Sequence, residues 1–540
     1  PTTLLIAVKG IRVHLANQKA KINRSSHSKR FERNRENMDF LILVIWFLLS
    51  WILIQAFLFA TIARNSSPKR PPLPPGPFPY PIVGSLFNLG NKPHKSLTKL
   101  AKIHGPIMSL RLGQITTIVI SSPTLAKEVL QTNDLYFSYR AIPDCMTAHD
   151  YHLHAMVWLP PLNKWRNQRK ITNSHIFATQ KLDANQHLRQ KKVEEMLQYV
   201  QECSQAGVAI NIGLAAFVTS LNLLSNTAFS VDLVNPSSDS AQELKELVWS
   251  VLEEGGKPNS SDYFPVFRHV DPQGIRRRTR DLFGKMFEIF ESFIEQRLQS
   301  RKATVSAPTP SIDVLDTLLD LIQQDQDIDR TTIVHLFSTL FIAGTDTTSS
   351  TIEWAMAEIL RNPITLSKVQ AELEHVIGKG NLFQESDIAN LPYLQATVKE
   401  TLRLHPPAPF LIPRTVEKDE EIRGLLVPKK AHVLVNVWAI SRDPSIWDNP
   451  DSFVPERFLD ADIEFRGRNF EFIPFGAGRR ICPGLPLAIR MAHLMLGSLL
   501  HTFKWKLEDG VGGSEGIDMD DKFGITLQKS KPLLVVPIKL

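Results

Sequence analysis

The sequence predicts a mainly α-helical body with a small β region, preceded by one membrane-spanning helix. Two patterns carry this prediction. An uncharged apolar run extends from Phe40 to Ala63, and beyond residue 90 long amphipathic stretches outnumber the short runs of strand character. With 43% hydrophobic and 22% charged residues, the 540-residue chain has the composition of a globular protein with a large core.

Residues 1–37 form a basic extension with little of the character of a domain. Its nine lysines and arginines and two glutamates give it a formal charge of +7, which equals the charge of the whole chain. The rest of the chain is therefore neutral, so net charge gives no reason to expect a nucleic-acid partner. Because Met38 follows directly, we expect Met38 to be the natural start and the extension not to be native.

Residues 38–63 are predicted to be a transmembrane signal anchor. The apolar run within them would span about 36 Å as a helix, which is enough to cross a hydrocarbon core of about 30 Å. A buried core helix is the alternative. Basic residues directly after the run favour a cytosolic location for the chain that follows. The three cysteines, an odd and sparse set, also indicate a reducing compartment.

Residues 64–89 are interpreted as a proline-rich hinge. The stretch Pro71–Pro77 contains five prolines, which restrict φ and favour the polyproline II conformation, so we expect a semi-rigid spacer. A ligand for an SH3-type domain is the alternative. Residues 90–540 then form the catalytic domain, with a predicted β-hairpin from Ile107–Leu112 to Thr116–Ile120. Helices are predicted around 163–176, 188–204, 240–254, 274–300 and 330–360.

One glycine-rich loop has the composition of a metal-binding loop. Its sequence is Phe-Gly-Ala-Gly-Arg-Arg-Ile-Cys-Pro-Gly, from Phe475 to Gly484. A thiolate is an electron-donating ligand suited to iron, and glycines let main-chain N–H groups approach the sulfur. The alternative is a buried cysteine in a turn. The pattern Phe-x-x-Gly-x-Arg-x-Cys-x-Gly resembles the haem-binding loop of the cytochrome P450 family. This resemblance implies that Cys482 is the axial ligand of haem iron, and that Phe475, Gly476 and Gly484 help to bind the haem.

The stretch Ala343-Gly344-Thr345-Asp346-Thr347-Thr348 lies within the helix predicted at 330–360. Glycine and hydroxyl residues weaken a helical turn, and a hydroxyl backed by a carboxylate can relay protons. A polar patch on a helix is the alternative. The stretch resembles the oxygen-activation segment of the P450 family, and this implies catalytic roles for Thr347 and Asp346.

Trp165 and Arg169 are four residues apart and share a helical face, where both can donate hydrogen bonds to carboxylates. They resemble the helix that binds the haem propionates in this family. The same resemblance implies that Arg140, Arg414 and Arg480 are further propionate partners.

Glu400 and Arg403 share a helix face, and Arg457 follows in Pro455-Glu456-Arg457-Phe458. Together they resemble the Glu–Arg–Arg triad that braces the P450 fold. The resemblance also implies a set of mainly apolar substrate contacts, which suits a hydrophobic substrate. They are Phe341, Ile342, Ala343, Ala408, Phe410, Leu411 and Ile525.

The resemblance covers residues 38–540 and is greatest to plant-type microsomal members, in particular the group of geraniol 8-hydroxylases and ferruginol-type terpenoid oxidases. It implies a monooxygenase that contains haem b, uses O2 and hydroxylates a small hydrophobic metabolite, with a monoterpenoid alcohol as the expected substrate. Diterpenoid, phenolic and alkaloid oxidation are the alternatives within the family.

The chain contains no dinucleotide-binding fingerprint, so electrons from NADPH must come from another protein. The resemblance implies NADPH–cytochrome P450 reductase as this partner. It also implies a single-pass protein of the endoplasmic reticulum membrane whose catalytic domain faces the cytosol. Three other functions stay open: a haem enzyme that rearranges hydroperoxides, a non-catalytic haem protein, and a membrane-anchored scaffold.

Overall fold

The computed structural model describes residues 41–54, 71–303, 313–324, 328–507 and 513–540. Two units make up the chain, divided after Arg70. The first contains helix α1 (Leu41–Ile54), whose large apolar side chains are exposed. The predicted anchor continues on both sides of α1 into residues outside the described ones. The extension at 1–37 and residues 64–70 of the hinge also lie outside them.

Among the described residues, the one helix long and apolar enough to cross a membrane is Ile212–Phe229. It is 83% buried inside the protein, which identifies it as a core helix. Helix α1 is apolar but shorter than this.

The second unit, residues 71–540, is built mainly from helices, and the long helices confirm those predicted from periodicity. They are α2 (Pro93–His104), α3 (Pro123–Lys127), α4 (Tyr151–His154), α5 (Asn163–Ile171), α6 (Thr179–Ala184), α7 (Gln186–Ala206), α8 (Ile212–Phe229), α9 (Asp239–Gly256), α10 (Ser260–Tyr263), α11 (Ile275–Ala303), α12 (Val314–Gln323), α13 (Arg330–Arg361), α14 (Pro363–Ile377), α15 (Pro392–Leu404), α16 (Val437–Ile440) and α17 (Leu485–Thr502).

The strands are short and form a small β region, as predicted. They are β1 (Ile107–Leu112), β2 (Ile115–Ile120), β3 (Tyr139–Arg140), β4 (Ile210–Asn211), β5 (Arg414–Thr415), β6 (Glu420–Ile422), β7 (Leu425–Val427), β8 (His432–Val435), β9 (Phe503–Leu507), β10 (Asp521–Phe523), β11 (Leu527–Lys529) and β12 (Leu534–Lys539). The largest sheet has the order β1-β2-β8-β5-β3, and its first pair is the predicted hairpin. Strand β12 lies between β4 and β9, while β10–β11 and β6–β7 form separate hairpins.

Helix α13 is the central element of this unit, and both large hydrophobic clusters include it. Its N-terminal half contributes Ile333 and Phe337 to one cluster, and its C-terminal half contributes Ile352 and Met356 to the other. The helix begins after Asp329, whose side chain accepts a hydrogen bond from the Thr332 N–H. Helix α8 packs along it. The helix is about 48 Å long, so a single element contributes residues to both clusters.

The proline-rich segment is not a spacer over the part that the structure describes. The main-chain oxygens of Pro72 and Pro75 accept hydrogen bonds from the N–H groups of Leu426 and Ser109, at 2.8 Å each. The Ser109 hydroxyl donates to the Pro74 oxygen at 2.6 Å. The interpretation of 64–89 as a spacer is therefore wrong from Pro72 onwards. Prolines lack an N–H donor but keep the carbonyl, so this segment can bind to a neighbouring strand through its oxygens.

Replacing Gly76 by alanine should weaken the docking of this segment. A Cβ at residue 76 would lie 1.8 Å from the Ser109 oxygen, so the segment has to move away from β1. We expect the Gly76→Ala protein to lose about 1–3 kcal/mol of unfolding free energy and to be cut faster by proteases near residue 76.

The control is Ser109→Ala, which removes one hydroxyl hydrogen bond without creating a clash and should cost about 1 kcal/mol. Denaturant unfolding and limited proteolysis measure both effects. Equal proteolysis of the Gly76→Ala and unaltered proteins would contradict a docked segment.

Candidate active site

A cavity of about 300 Å³ brings together residues from α5, α13, α17 and the cysteine loop. Its lining is predominantly apolar. Most of the site residues predicted from sequence line it: Arg140, Trp165, Arg169, Ala343, Thr347, Ala408, Leu411, Arg414, Phe475, Gly476, Arg480, Cys482 and Gly484.

The cysteine loop places Cys482 three residues before Leu485, the first residue of helix α17. The Cys482 N–H donates to the Phe475 oxygen at 3.0 Å, which closes the loop. Gly478 has a φ of +69°, and a Cβ there would lie 1.7 Å from the Leu130 oxygen, so only glycine fits at this position. The loop is thus fixed both by its own turn and by contact with the segment after α3.

Opposing effects act on the Cys482 thiol. Burial raises its pKa, because an ionised sulfur loses its hydration. The N–H groups of Gly484 and Leu485 and the Arg169 guanidinium oppose this shift. These N–H groups belong to the start of α17, where the helix dipole also favours negative charge. The sulfur therefore belongs to a half-buried residue on the cavity wall, and donors for its thiolate form are already in place.

Three arginines gather on one side of the cavity without an ion-pair partner among the described residues. Their hydrogen bonds go to main-chain oxygens: Arg140 donates to Ile412 at 2.7 Å, and Arg414 donates to Phe137 at 2.9 Å. Arg480 donates to the Ser138 oxygen at 3.0 Å.

Burial lowers the pKa of each of these arginines, to about 10 for Arg414 and about 9 for Arg480. For Arg140, the nearby charges of Arg414 and Arg480 lower the pKa further. Arginine stays protonated in proteins, so these shifts express first the cost of removing each guanidinium from water, to which repulsion between like charges adds for Arg140 and Arg480.

These residues fit the haem that the resemblance implies. The Arg414 Nε atom is buried and has no hydrogen-bond partner in the described part of the chain, although it belongs to a residue that lines the cavity. Haem carries two carboxylates, which would satisfy this donor and neutralise the buried cations. The Arg480 guanidinium also lies over the Trp165 ring, 4.6 Å from its centroid.

Asp346 and Thr347 lie on different sides of α13. Thr347 lines the cavity, and its hydroxyl donates to the Ala343 oxygen at 2.7 Å. The Asp346 carboxylate instead accepts hydrogen bonds from Thr526, at 2.7 Å, and from Gln528. Burial raises the pKa of Asp346, and these two donors oppose the shift. The structure therefore does not join the two side chains of the predicted relay by a direct hydrogen bond.

The predicted triad forms one buried ion-pair network beside the cavity. Glu400 and Arg403 have no exposed side-chain surface and make two hydrogen bonds, of 2.7 and 2.8 Å. Arg457 Nε lies 3.2 Å from the same carboxylate. Arg403 also donates to the oxygens of Ser441 and Pro450. The network thus fixes the chain around 441–457 to helix α15.

Part of the predicted substrate-contact set lies away from this cavity. Phe341 and Ile342 belong to the core cluster, and the Phe341 ring centroid lies 5.0 Å from that of Phe290. Phe410 packs edge-on against Phe523, while Ile525 packs against α9 at Gly255. Packing thus places these four side chains among other core residues, whereas Ala343, Ala408 and Leu411 line the cavity.

Sequence reasoning missed several hydroxyl residues that line the cavity. They include Ser220 on α8, and Thr339, Thr348 and Thr351 on α13. The helical period offered a signal for two of them, because Thr339 and Thr351 lie eight residues before and four residues after Thr347. No sequence pattern indicated Ser220, which reaches the cavity only because α8 packs along α13.

Removing the Glu400 charge should destabilise the fold strongly. Glu400→Gln leaves the buried Arg403 guanidinium and the partly buried Arg457 guanidinium facing a neutral amide, and such a loss typically costs about 3–5 kcal/mol. Thermal and denaturant unfolding of the purified protein measure this. The matched control is Glu374→Gln, which breaks the exposed 3.2 Å pair with Lys379 and should change stability little. Equal unfolding midpoints for the two variants would argue against a bracing role for the network.

The sequence of this chain is similar to those of known proteins. The family model for Cytochrome P450 matches residues 74–536. Geraniol 8-hydroxylase from Swertia mussotii is 55% identical over 505 residues, which cover 93% of this chain and 100% of the relative.

Two other relatives are named after other substrates. Drimenol monooxygenase from Persicaria hydropiper is 50% identical over 504 residues, covering 93% of this chain and 98% of the relative. 7-Ethoxycoumarin O-deethylase from Helianthus tuberosus is 49% identical over 504 residues, covering 93% of this chain and 100% of the relative. With its cysteine loop, buried arginines and mainly helical fold, the chain therefore belongs to the cytochrome P450 family of haem-dependent monooxygenases.

Proposed function

We propose that this protein hydroxylates a small hydrophobic metabolite, in the first place a monoterpenoid alcohol such as geraniol. The observation that carries this proposal is the predominantly apolar cavity, which Cys482 and Thr347 both line. The relatives support the choice of substrate, since their names include geraniol 8-hydroxylase and drimenol monooxygenase.

Each site residue has a role in this proposal. When bound, haem b would supply the reductive activation of dioxygen. The Cys482 sulfur would bind the iron, and the carboxylates would be held by the basic and indole donors Arg140, Trp165, Arg169, Arg414 and Arg480. Apolar lining residues would orient the substrate and exclude water.

The proton-handling groups lie on α13. Thr347 holds a proton at its Oγ1 atom on the cavity wall. Asp346 keeps a proton to higher pH than an exposed aspartate, because burial raises its pKa. Its carboxylate also binds Thr526 and Gln528 and so attaches the β10–β11 hairpin to α13.

The electrons are proposed to come from NADPH through NADPH–cytochrome P450 reductase. Members of this family need a redox partner, and the sequence contains no dinucleotide-binding fingerprint of its own. We further propose that residues 38–63, which include the apolar helix α1, anchor the protein in the endoplasmic reticulum membrane with residues 71–540 in the cytosol.

A substrate panel tests the proposed function. The haem-containing protein is incubated with reductase, NADPH and O2, together with geraniol, drimenol or 7-ethoxycoumarin, and the products are identified by mass spectrometry. We expect geraniol to give a hydroxylated product only when NADPH is present. Turnover of 7-ethoxycoumarin without any terpenoid product would favour the second candidate, a phenolic-ether oxidase, which the O-deethylase relative supports. Conversion of an added organic hydroperoxide without NADPH, together with no NADPH-dependent product from the panel, would indicate a hydroperoxide-rearranging enzyme instead.

Replacing Cys482 by alanine should abolish thiolate ligation. We expect the reduced protein with carbon monoxide to show a strongly red-shifted Soret band and Cys482→Ala to lose it. Among the described residues that line the cavity, Cys482 is the one cysteine, so no other thiolate can replace it. The control is Cys203→Ala, which removes a buried cysteine of α7 and should keep the band. A red-shifted band in folded Cys482→Ala protein would disprove this ligand.

A further inference from the structure

Thr339 lies on the same face of α13 as Thr347, two turns earlier. Residues 339, 343 and 347 follow at intervals of four and all line the cavity. At about 6 Å per interval, Thr339 and Thr347 are about 12 Å apart along the helix axis. Ala343 lies between them. Along this wall of the cavity, two threonines are therefore separated by one turn that carries an apolar side chain.

The hydrogen bonds around Thr339 fix the direction of its proton. The Thr339 Oγ1 atom lies 2.8 Å from the His335 main-chain oxygen, which can only accept, so Thr339 donates its one proton there. The Tyr151 hydroxyl lies 2.9 Å from the same Oγ1 atom and must therefore be the donor in that pair. One lone pair of Thr339 Oγ1 is left, so this atom can accept one more hydrogen bond but cannot donate one.

Tyr151 is held firmly in its donor role. Its side chain is buried, and its ring stacks on Phe283 with the centroids 4.2 Å apart. Burial raises the pKa of Tyr151, so the phenol keeps its proton throughout the physiological range. The acceptor on Thr339 is thus preorganised, and a ligand that uses it does not have to order these side chains.

We propose that Thr339 binds the hydroxyl group of a primary terpene alcohol and thereby decides which end of the substrate is oxidised. This inference rests on the proposed function. In extended geraniol, eight bonds of about 1.5 Å separate the oxygen from the far methyl carbon, which gives about 10 Å end to end. With its hydroxyl at Thr339, the far end of the molecule reaches the level of Thr347. The oxidised carbon is then the one most distant from the hydroxyl.

The same geometry predicts a preference for hydrogen-bond donors among ligands. An alcohol can donate to Thr339 Oγ1, whereas its methyl ether cannot, although the two have similar apolar surfaces. Geraniol should therefore bind more tightly than geranyl methyl ether. A typical hydrogen bond corresponds to a factor of about five to ten in the dissociation constant.

The experiment compares these two ligands on two variants of the haem-containing protein. Thr339→Val keeps the shape of the side chain and removes the acceptor. Thr345→Val is the matched control, because the Thr345 hydroxyl also donates to the carbonyl four residues earlier, at 2.7 Å, but does not line the cavity. Equilibrium titration gives the dissociation constants, and product analysis gives the position of oxidation.

The proposal predicts that Thr339→Val weakens geraniol binding about five- to tenfold and leaves the ether unchanged, so that the preference for the alcohol disappears. It also predicts that oxidation spreads to other carbons, while Thr345→Val resembles the unaltered protein in both respects.

An unchanged preference in Thr339→Val would overturn the role of Thr339 and leave the proposed function intact. Equal binding of alcohol and ether by the unaltered protein would also overturn the role of Thr339. This second comparison tests the proposal even if Thr339→Val does not fold. Failure of the unaltered protein to bind or oxidise any terpene alcohol would instead remove the proposed function, and this inference with it.

Discussion

The burial of several positive charges around one cavity is the constraint on which this structure depends. Arg140, Arg414 and Arg480 donate to main-chain oxygens in the segments just before β3 and β5, so their positions are set by the backbone. Removal of a guanidinium from water is unfavourable, and it lowers the pKa of all three, with repulsion between like charges adding to this for Arg140 and Arg480. Haem carries two carboxylates, so in the function proposed above its binding would place negative charge beside these arginines. Haem binding and the stability of the fold would then be coupled for this reason.

The rest of the site follows from how rigid elements meet at this cavity. The Glu400 network holds the chain around 441–457 against α15, and Gly478 fits the cysteine loop closely against the Leu130 oxygen. Both contacts involve buried atoms that leave little room for movement. The sulfur of Cys482 is thus presented by a scaffold fixed at several points, which is what a metal ligand with preorganised N–H donors requires.

The sequence predicted those parts of the fold and the site that depend on local patterns. Period and β-branching predicted helices α5, α7, α9, α11 and α13 and the β1–β2 hairpin. The resemblance of the cysteine loop and the other motifs to the P450 family implied most of the predicted residues that meet at the cavity. The docking of the proline-rich segment could not be predicted, because it depends on Leu426 and Ser109, which are distant in sequence. The direction of the Asp346 carboxylate likewise depends on Thr526 and Gln528 from the last hairpins.

The position of Thr347 indicates which other residues of α13 can line the cavity. Each residue turns the helix by about 100°. Positions 339, 340, 343, 344, 348 and 351 therefore lie within about 100° of Thr347 around the helix axis. All of them line the cavity. Asp346 lies about 100° from Thr347 in the direction opposite to Thr348, and Phe341 lies about 120° from Thr347. These two residues contact the β10–β11 hairpin and the aromatic core instead. Two sides of one helix therefore have different surroundings, because the side that lines the cavity is not the side that carries the Asp346 carboxylate. The role proposed for Thr339 can then be tested by substitution without removing a hydrogen bond of Asp346.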